Sequence, residues 1–403
     1  MNVLFVSWHC LDGTAEGLAS ARLARALGKA GHGVTLLTSA KSRPPEGVTV
    51  HRLEPAPGTL DRLTLPGRLE ALPHLLRGCT VEEKGWVRAV ARKAAELGPF
   101  DVLHSRLNPA ASHLAALAIL KKTDLPWCAY FSDPWPHHLY PEPYRFTVGP
   151  LSRRRLELSL DAMLKRADTL VFPADRLRDW ILSGHRESFR PKAFIAPHLS
   201  GREAPSPAQQ AREGEGSSSS NGHLHLRHAG FLMKERRIEP LLAALERLRP
   251  EVRSDLRVEF AGRYAVQAEV PPSLSGIVSF APSMPPDAVR AWMAGADVAL
   301  LVEAALAEGI FFPSKLSDYL AGGRPILALS PRRGVTADLL AGGGGVLAEP
   351  GDETGIAAAL ERLHGLWREG RLAELAPRPG QAAAVSEDTV VPVYEQAFEE
   401  ARR

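Results

Sequence analysis

Cysteine is scarce in this sequence, and several common functional signatures are missing altogether. Three cysteines among 403 residues, Cys10, Cys79 and Cys128, cannot all pair and stand at no metal-ligand spacing. They read as reduced thiols of a cytosolic protein, not as a disulfide framework or a zinc site. No Asp-x-Asp occurs, which removes the usual acidic clamp for a divalent cation on a nucleotide diphosphate, so neither a metal nor another cofactor is expected. No G-x-G-x-x-G follows the first apolar run, which sets aside a nicotinamide-dependent dehydrogenase. There is no long basic block: the net charge is only +3, with Lys and Arg spread among Asp and Glu, so a dedicated nucleic-acid binder is excluded. Met1 to Ser7 carries neither a basic leader nor a small-residue cleavage site and reads as a first strand. The longest weakly charged stretch, about Ala291 to Pro313, is broken by Asp297, Glu303 and Glu308, which argues against a spanning helix. Membrane contact is then peripheral at most, on the inner face, and basic and apolar residues between Arg62 and Arg92 are its candidates.

What is present is the composition of an ordinary folded protein, 45% apolar and 24% charged. At roughly 100 to 200 residues per domain, the length predicts two large domains. Val3 to Ser7 is a short apolar run, Asp12 to Gly17 a turn-rich loop, Leu18 to Lys29 has helical spacing, and Val34 to Thr38 is a second apolar run. That order is a βαβ unit, whose crossover makes the strands parallel. Strands are expected at Asp101 to His104, Trp127 to Phe131, Thr169 to Phe172 and Ala193 to Ile195, with a helix around Ala111 to Lys121. Apolar periodicity vanishes between Ser200 and Gly222, where Pro, Gln, Glu, Gly and a serine run predict a flexible linker. It then resumes with Leu226 to Ala229, a helix from Ile238 to Leu248, Arg257 to Ala261, Ile277 to Phe280, Val298 to Val302, a helix from Ser314 to Ala321, and Pro325 to Leu329. The expectation is an α/β chain of two doubly wound, Rossmann-like domains, 1–200 and 223–385, facing across a cleft. Residues 386–403 form an acidic helix starting near Pro392, which suits a first helical turn.

The most informative stretch runs from Glu308 through Pro313-Ser-Lys-Leu-Ser-Asp318 to Pro325. A loop ending in Pro313 and Ser314 leads directly into a helix, whose first turn offers free N–H groups and the positive end of the helix dipole. A diphosphate fits such a place, with Lys315 adding a positive charge. Asp318, about one turn further on, can accept hydrogen bonds from ribose hydroxyls. Ser is also a common helix cap and Lys a common solvated residue, so the local pattern alone does not decide.

This stretch resembles the donor-binding motif of the glycosyl transferases group 1, retaining enzymes of the GT-B fold, in the variant Pro-Ser-Lys, acid-Tyr-Leu-Ala, Gly-x-Pro. Val3-Leu-Phe-Val-Ser, the loop through Gly13 and Gly17, and Gly31-His-Gly-Val-Thr-Leu-Leu-Thr are similar to that family's opening strand, glycine loop and second strand. Asp101-Val-Leu-His-Ser, Ser132-Asp-Pro-Trp, His228-Ala-Gly-Phe-Leu with Arg236 and Arg237, and Ala296-Asp-Val-Ala-Leu extend the likeness. It implies transfer of a sugar from a nucleotide-sugar donor to a glycan, lipid-linked or small-molecule acceptor, as in polysaccharide biosynthesis, with retention at the anomeric carbon. By resemblance the donor lies on Gly17, Gly230, Glu308, Pro313, Ser314 and Asp318. A departing nucleoside diphosphate gains negative charge, which makes Arg237 and Lys315 the candidates to stabilise it, while Asp133 orients the acceptor hydroxyl. His104, Arg106 and Trp135 are the acceptor-side candidates, within an aromatic-rich neighbourhood that continues to Phe146.

Two departures stand out. Family members carry two acids separated by seven residues, but counting back from Asp318 reaches Ile310, with Glu308 two positions early. Arg106 stands where many members have a second histidine. These departures motivate the alternatives: a catalytically silent member binding partners in surface-polysaccharide assembly, or a sugar-nucleotide epimerase of the same fold.

Overall fold

The computed structural model describes residues 1–54, 81–201, 222–264 and 268–403. Cys79, nearly all of the expected linker at 201–222, and the part of the Arg62–Arg92 stretch before residue 81 lie outside the described residues. The chain divides into one unit of Met1–Tyr140, Tyr144–Leu199 and Glu387–Arg403, and another of Pro141–Pro143 and Ser200–Ser386.

Strands covered on both faces stay apolar along their length instead of alternating. In the first unit that rule describes β1 (Asn2–Val6), β2 (Gly33–Ser39), β4 (Val102–Arg106), β5 (Trp127–Tyr130) and β6 (Thr169–Phe172), whereas β3 (Thr49–Leu53) and β7 (Ala193–Ile195) are the half-exposed edges. Between them run α1 (Ala15–Lys29), α2 (Val81–Glu96), α3 (Ala111–Ile119), α4 (Pro150–Arg166) and α5 (Asp175–Ile181). The seven strands are parallel in the order β3-β2-β1-β4-β5-β6-β7. Thr14 caps α1 by accepting the Gly17 N–H at 3.0 Å, so the helix starts three residues before its apolar spacing does.

The second unit contains β8 (Leu224–Ala229), α6 (Glu239–Arg247), α7 (Pro250–Asp255), β9 (Leu256–Ala261), β10 (Val278–Ala281), α8 (Pro286–Ala294) and β11 (Val298–Val302). It continues with α9 (Ser314–Ala321), β12 (Ile326–Leu329), α10 (Val335–Leu340), β13 (Gly345–Ala348), α11 (Glu353–Arg368) and α12 (Pro379–Ala383). Its six strands are parallel in the order β10-β9-β8-β11-β12-β13. Leu226, Val258, Phe260, Leu300, Leu327 and Leu329 from this sheet pack with Leu241, Leu245, Ile356, Leu360 and Leu363 from α6 and α11.

A last helix, α13 (Glu387–Ala401), belongs to the first unit, where Val390, Val391, Tyr394, Ala397 and Phe398 join the core beside Phe5, Val102, Cys128 and Val171. It begins five residues before Pro392, contrary to the expected start, and Pro392 lies inside it. The acidic Glu387 and Asp388 occupy its first turn instead, where the helix dipole favours them.

In both sheets the strand order reverses once, between β1 and β4 and between β8 and β11. Ligands of open parallel sheets bind beyond the carboxyl ends of the strands at that reversal. The segments Ser7–Thr14 and Leu107–Asn108, and Gly230–Arg237 and Glu303–Pro313, follow those strand ends.

Candidate active site

In the second unit, a cluster of ionisable groups forms where β8, β11 and α9 meet. His228 is fully buried near the end of β8, and its Nδ1 is 2.9 Å from the Leu300 carbonyl oxygen. A carbonyl can only accept, so Nδ1 carries the proton and Nε2 presents a lone pair. That lone pair faces the Lys315 ammonium at 3.1 Å. Lys315 is half-buried in the first turn of α9, and burial, reinforced by the nearby Arg236 charge, pulls its pKa down to about 7.

Glu303, directly after β11, is buried and takes two hydroxyl hydrogen bonds on one oxygen, from Ser330 at 2.5 Å and Thr336 at 2.7 Å. Burial raises its pKa despite those donors and the Arg236 and Lys315 charges. Two cations therefore share one carboxylate. The Arg236 Nε is buried without a hydrogen-bond partner, an arrangement whose cost is lifted only when an acceptor arrives.

Gly230 follows β8 at φ +127°, a conformation that side chains disfavour, and a Cβ there would lie 2.9 Å from the Lys315 ammonium, so the glycine makes room for that ammonium. Pro313 precedes α9 at the capping position without a side-chain hydrogen bond, and Ser314 is the first helical residue. Asp318 accepts the Gly201 N–H at 2.8 Å. Tyr319, beside it, is buried and its hydroxyl accepts the Ala229 N–H at 3.3 Å, tying α9 to β8.

Two of the expected residues lie apart from this cluster. Arg237 points away from the cluster, its side chain 69% exposed and paired with Glu239 at 3.4 Å, whereas the charge of its neighbour Arg236 reaches Lys315, Glu303 and His228. Consecutive residues before a helix face different ways, which two adjacent arginines in a sequence cannot reveal. Glu308 is drawn to Arg333 at 3.5 Å, in a loop whose Gly309 bridges to Gly334. Ile310, where the family's first acid is expected, is fully buried, so the position holds a core side chain.

In the first unit the loop after β1 is built around Asp12. Its carboxylate accepts from Thr14 Oγ1 at 2.6 Å and from the Thr14 N–H at 3.2 Å, and it pairs with the His9 Nδ1. Burial works against the charge, but the His9 and Thr14 hydrogen bonds prevail and hold its pKa at about 2. Gly17 lies in α1, and a Cβ on it would come 2.3 Å from Asp12 Oδ1. The space beside Gly17 is thus filled by Asp12 and its N–H is taken by Thr14, so the glycine serves the loop itself and not the approach of a ligand.

His104 is sealed in the core, edge-on to Phe5, Tyr394 and Phe398 with ring centroids 4.8, 5.4 and 5.7 Å away. Burial drives its pKa well down, so it is a neutral core residue and not an acceptor-side group. Arg106 is 2% exposed and donates from Nε to Glu16 at 2.7 Å and from Nη1 to the Tyr394 hydroxyl at 3.4 Å, with the guanidinium 3.9 Å from the Tyr130 ring centroid. Glu16 holds its charge firmly in spite of burial; the residue braces the fold. Trp135 is also buried, so its ring is not open to stacking by a ligand. Asp133 fares differently: half-buried after β5, it accepts from Ser132 Oγ at 3.0 Å and from Asn108 Nδ2 at 3.1 Å. Nearby, the exposed His137 stacks on Tyr140 at 5.5 Å, a ring pair that the sequence placed only within a broader aromatic stretch.

Arg236, Glu303 and Asp12 are the side chains that sequence reasoning did not assign. Position after a strand was the available signal for Glu303 and Asp12, and both carboxylates were visible there. Among the described residues, no group of three or more His, Cys, Asp or Glu is placed to hold a metal ion.

Two parallel sheets, each reversing its strand order once, define a two-unit, doubly wound α/β architecture. Residues 16–193 match the family described as glycosyl transferase 4-like domain, and residues 225–365 match glycosyl transferases group 1. The chain belongs to the group 1 glycosyltransferases and has their GT-B fold: it is a nucleotide-sugar-dependent glycosyltransferase of a retaining family. No curated protein matches it by sequence. Among solved structures it is similar to sucrose-phosphate synthase from Thermosynechococcus elongatus, at TM-score 0.67 and 15% identity over 99% of both chains. It is also similar to Anabaena HepE in complex with UDP-glucose, at TM-score 0.63 and 16% identity over 99% of this chain and 98% of that one. A third likeness is to α,α-trehalose 6-phosphate synthase from Burkholderia multivorans, at TM-score 0.64 and 14% identity over 99% and 98%. No helix among the described residues is long and apolar enough to cross a membrane.

Proposed function

We propose that the enzyme takes a uridine diphosphate sugar as donor and that the cluster of Lys315, Arg236 and the first turn of α9 receives its diphosphate. The observation that carries this reading is the surplus of positive charge there, two cations against one buried carboxylate, with the Arg236 Nε lacking a partner. A diphosphate supplies the missing acceptors, and the helix N-terminus adds N–H donors. The uridine base is inferred from the HepE complex with UDP-glucose. Gly230 makes room for the Lys315 ammonium beside the phosphates, Pro313 and Ser314 set the start of α9, and Asp318 faces the ribose. In the first unit, Asp133 orients the acceptor hydroxyl.

In the reaction the bond from the anomeric carbon to the β-phosphate oxygen breaks, and its electron pair stays on that oxygen. Lys315 and Arg236 stabilise the charge as it grows. The acceptor oxygen bonds to the same carbon, and its proton passes to the departing phosphate, as the family's retaining chemistry implies.

A thermal-shift panel of nucleoside diphosphates and their sugars, without added metal, tests the donor. Ligand at about 100 times its Kd stabilises by about 2.7 kcal/mol. The expected result is a selective shift with uridine nucleotides that Lys315→Ala weakens. A shift with a different base overturns the uridine assignment alone. No shift with any nucleotide favours the second reading, a partner-binding member without turnover, for which the buried Ile310 in place of the first acid is the specific observation.

A further inference from the structure

Among the described residues four large apolar side chains are exposed, and three of them, Phe146 at 62%, Leu151 at 63% and Leu158 at 59%, fall on and just before α4. The helix already buries one apolar face, made of Leu156, Leu160, Met163 and Leu164. At about 100° per residue, Leu151, Leu158 and the exposed Ala162 line up within about 40° of one another on the opposite side. This second strip is edged along one side by Arg154 and Lys165 and along the other by Arg155 and Arg166.

The acids of the same helix do not neutralise that edge. Glu157 lies off the strip and is engaged by Arg153 and His138, each at 3.0 Å. Asp161 is held by Arg186 at 2.6 Å and His185 at 3.2 Å. Arg166 is paired with Asp168 at 3.6 Å, whereas Arg154, Arg155 and Lys165 make no ion pair among the described residues.

We infer that α4, with Phe146 leading into it, is a docking surface for an anionic phospholipid bilayer. An apolar strip bordered on both sides by cations matches a plane whose interior is apolar and whose surface is negative, with the long basic side chains reaching up to the headgroups while the leucines enter below them. The strip lies outside both ionisable clusters described above, so the inference goes beyond the donor reading and is independent of it. Of the acceptor classes open to the enzyme, it points to a membrane-borne one.

The test is sedimentation of the full chain with vesicles of phosphatidylcholine containing phosphatidylglycerol, compared with phosphatidylcholine alone, in the absence of nucleotide. Expected is binding to the anionic vesicles only, falling steeply with salt, and reduced about tenfold or more both by Leu151→Ser with Leu158→Ser and by Arg154→Gln with Arg155→Gln. The arginine pair touches no core residue, so it remains informative if the leucine pair destabilises the fold, which circular dichroism reports. No binding to anionic vesicles overturns the inference, as does binding that neither pair of substitutions weakens. A solution mass twice that of one chain, halved by the leucine substitutions, also overturns it by identifying the strip as a contact between copies. Because no nucleotide is present, failure here leaves the donor reading untouched.

Discussion

Each unit buries a long cationic side chain near the reversal of its strand order, and the two are treated in opposite ways. Arg106 is paired with Glu16 and rests against Tyr394 and the face of Tyr130, so its charge is matched one to one although its Nη2 has no hydrogen-bond partner. Lys315 meets the lone pair of a neutral histidine and a second cation, while the one nearby carboxylate is occupied with two hydroxyls. The first arrangement balances its charge within the fold, so its contribution is to the folded state. The second is left short of negative charge, and ligand-free folding bears the cost of a desolvated cation until an anion arrives. Buried charge is therefore informative about function only after its partners have been counted.

The sharpest way to break this comparison is to remove one half of the balanced pair. Arg106→Ala leaves Glu16 buried and alone, and removing one partner of a buried pair costs about 3–5 kcal/mol. Chemical denaturation should show that loss while the nucleotide affinity of the remaining folded protein is unchanged; a selective loss of affinity would place Arg106 at a ligand after all. Lys315→Ala should do the reverse. Loss of a charge-assisted hydrogen bond of about 1.5–3 kcal/mol lowers turnover roughly tenfold to a hundredfold, with ligand-free stability equal or higher. Equal losses of stability in both variants would erase the distinction.

The pH dependence sharpens it further. Ligand-free Lys315 loses its proton at about 7, against 10.5 for an ordinary lysine. Between those values the unfolded chain binds more protons than the folded one, so the ligand-free protein gains stability as pH rises through that window. Donor binding runs the other way, because a diphosphate favours the charged lysine. A nucleotide-sugar has no phosphate proton to lose in this range, so its Kd should rise above about pH 7 by up to about tenfold per pH unit. Calorimetric titrations in two buffers would detect the matching proton uptake, and Lys315→Arg should abolish the slope. A flat profile in the native protein would mean that Lys315 does not touch the phosphates. The smallest contrast concerns the adjacent arginines: Arg236→Ala should weaken nucleotide binding about tenfold or more, and Arg237→Ala should remain within about 0.5 kcal/mol.

How much of this could be seen in the sequence depended on the physics behind each feature. Runs such as Val298–Val302 were legible because strands covered on both faces are apolar without interruption, and α9 was legible to the residue because a Pro-Ser start fixes its first turn. The edge strand Thr49–Leu53 was not recognised, since a half-exposed edge carries Thr, His and Arg, and β13 was hidden behind the glycines at 342–345. Site residues fared worse for a related reason. His104 and Arg106 sit on a strand buried throughout, where alternation no longer says which side meets a ligand. The helix α13 that covers them is distant in sequence, with Tyr394 288 positions after Arg106. The place of Lys315 in the first turn of α9 was readable because the start of a helix is a local matter; the different directions of Arg236 and Arg237 were not.

The position of α13 also sets an order for biosynthesis. The helix at Glu387–Ala401 completes the first unit, but it is translated only after the whole of Ser200–Ser386. A ribosome therefore finishes the second unit while the first still lacks the side chains of Tyr394 and Phe398, leaving the apolar surface around Phe5 and His104 uncovered. Sequential folding of domains from the N-terminus is the usual course for a nascent chain. Here the second unit can reach its native state first, and the unit that begins the chain must wait for its last helix.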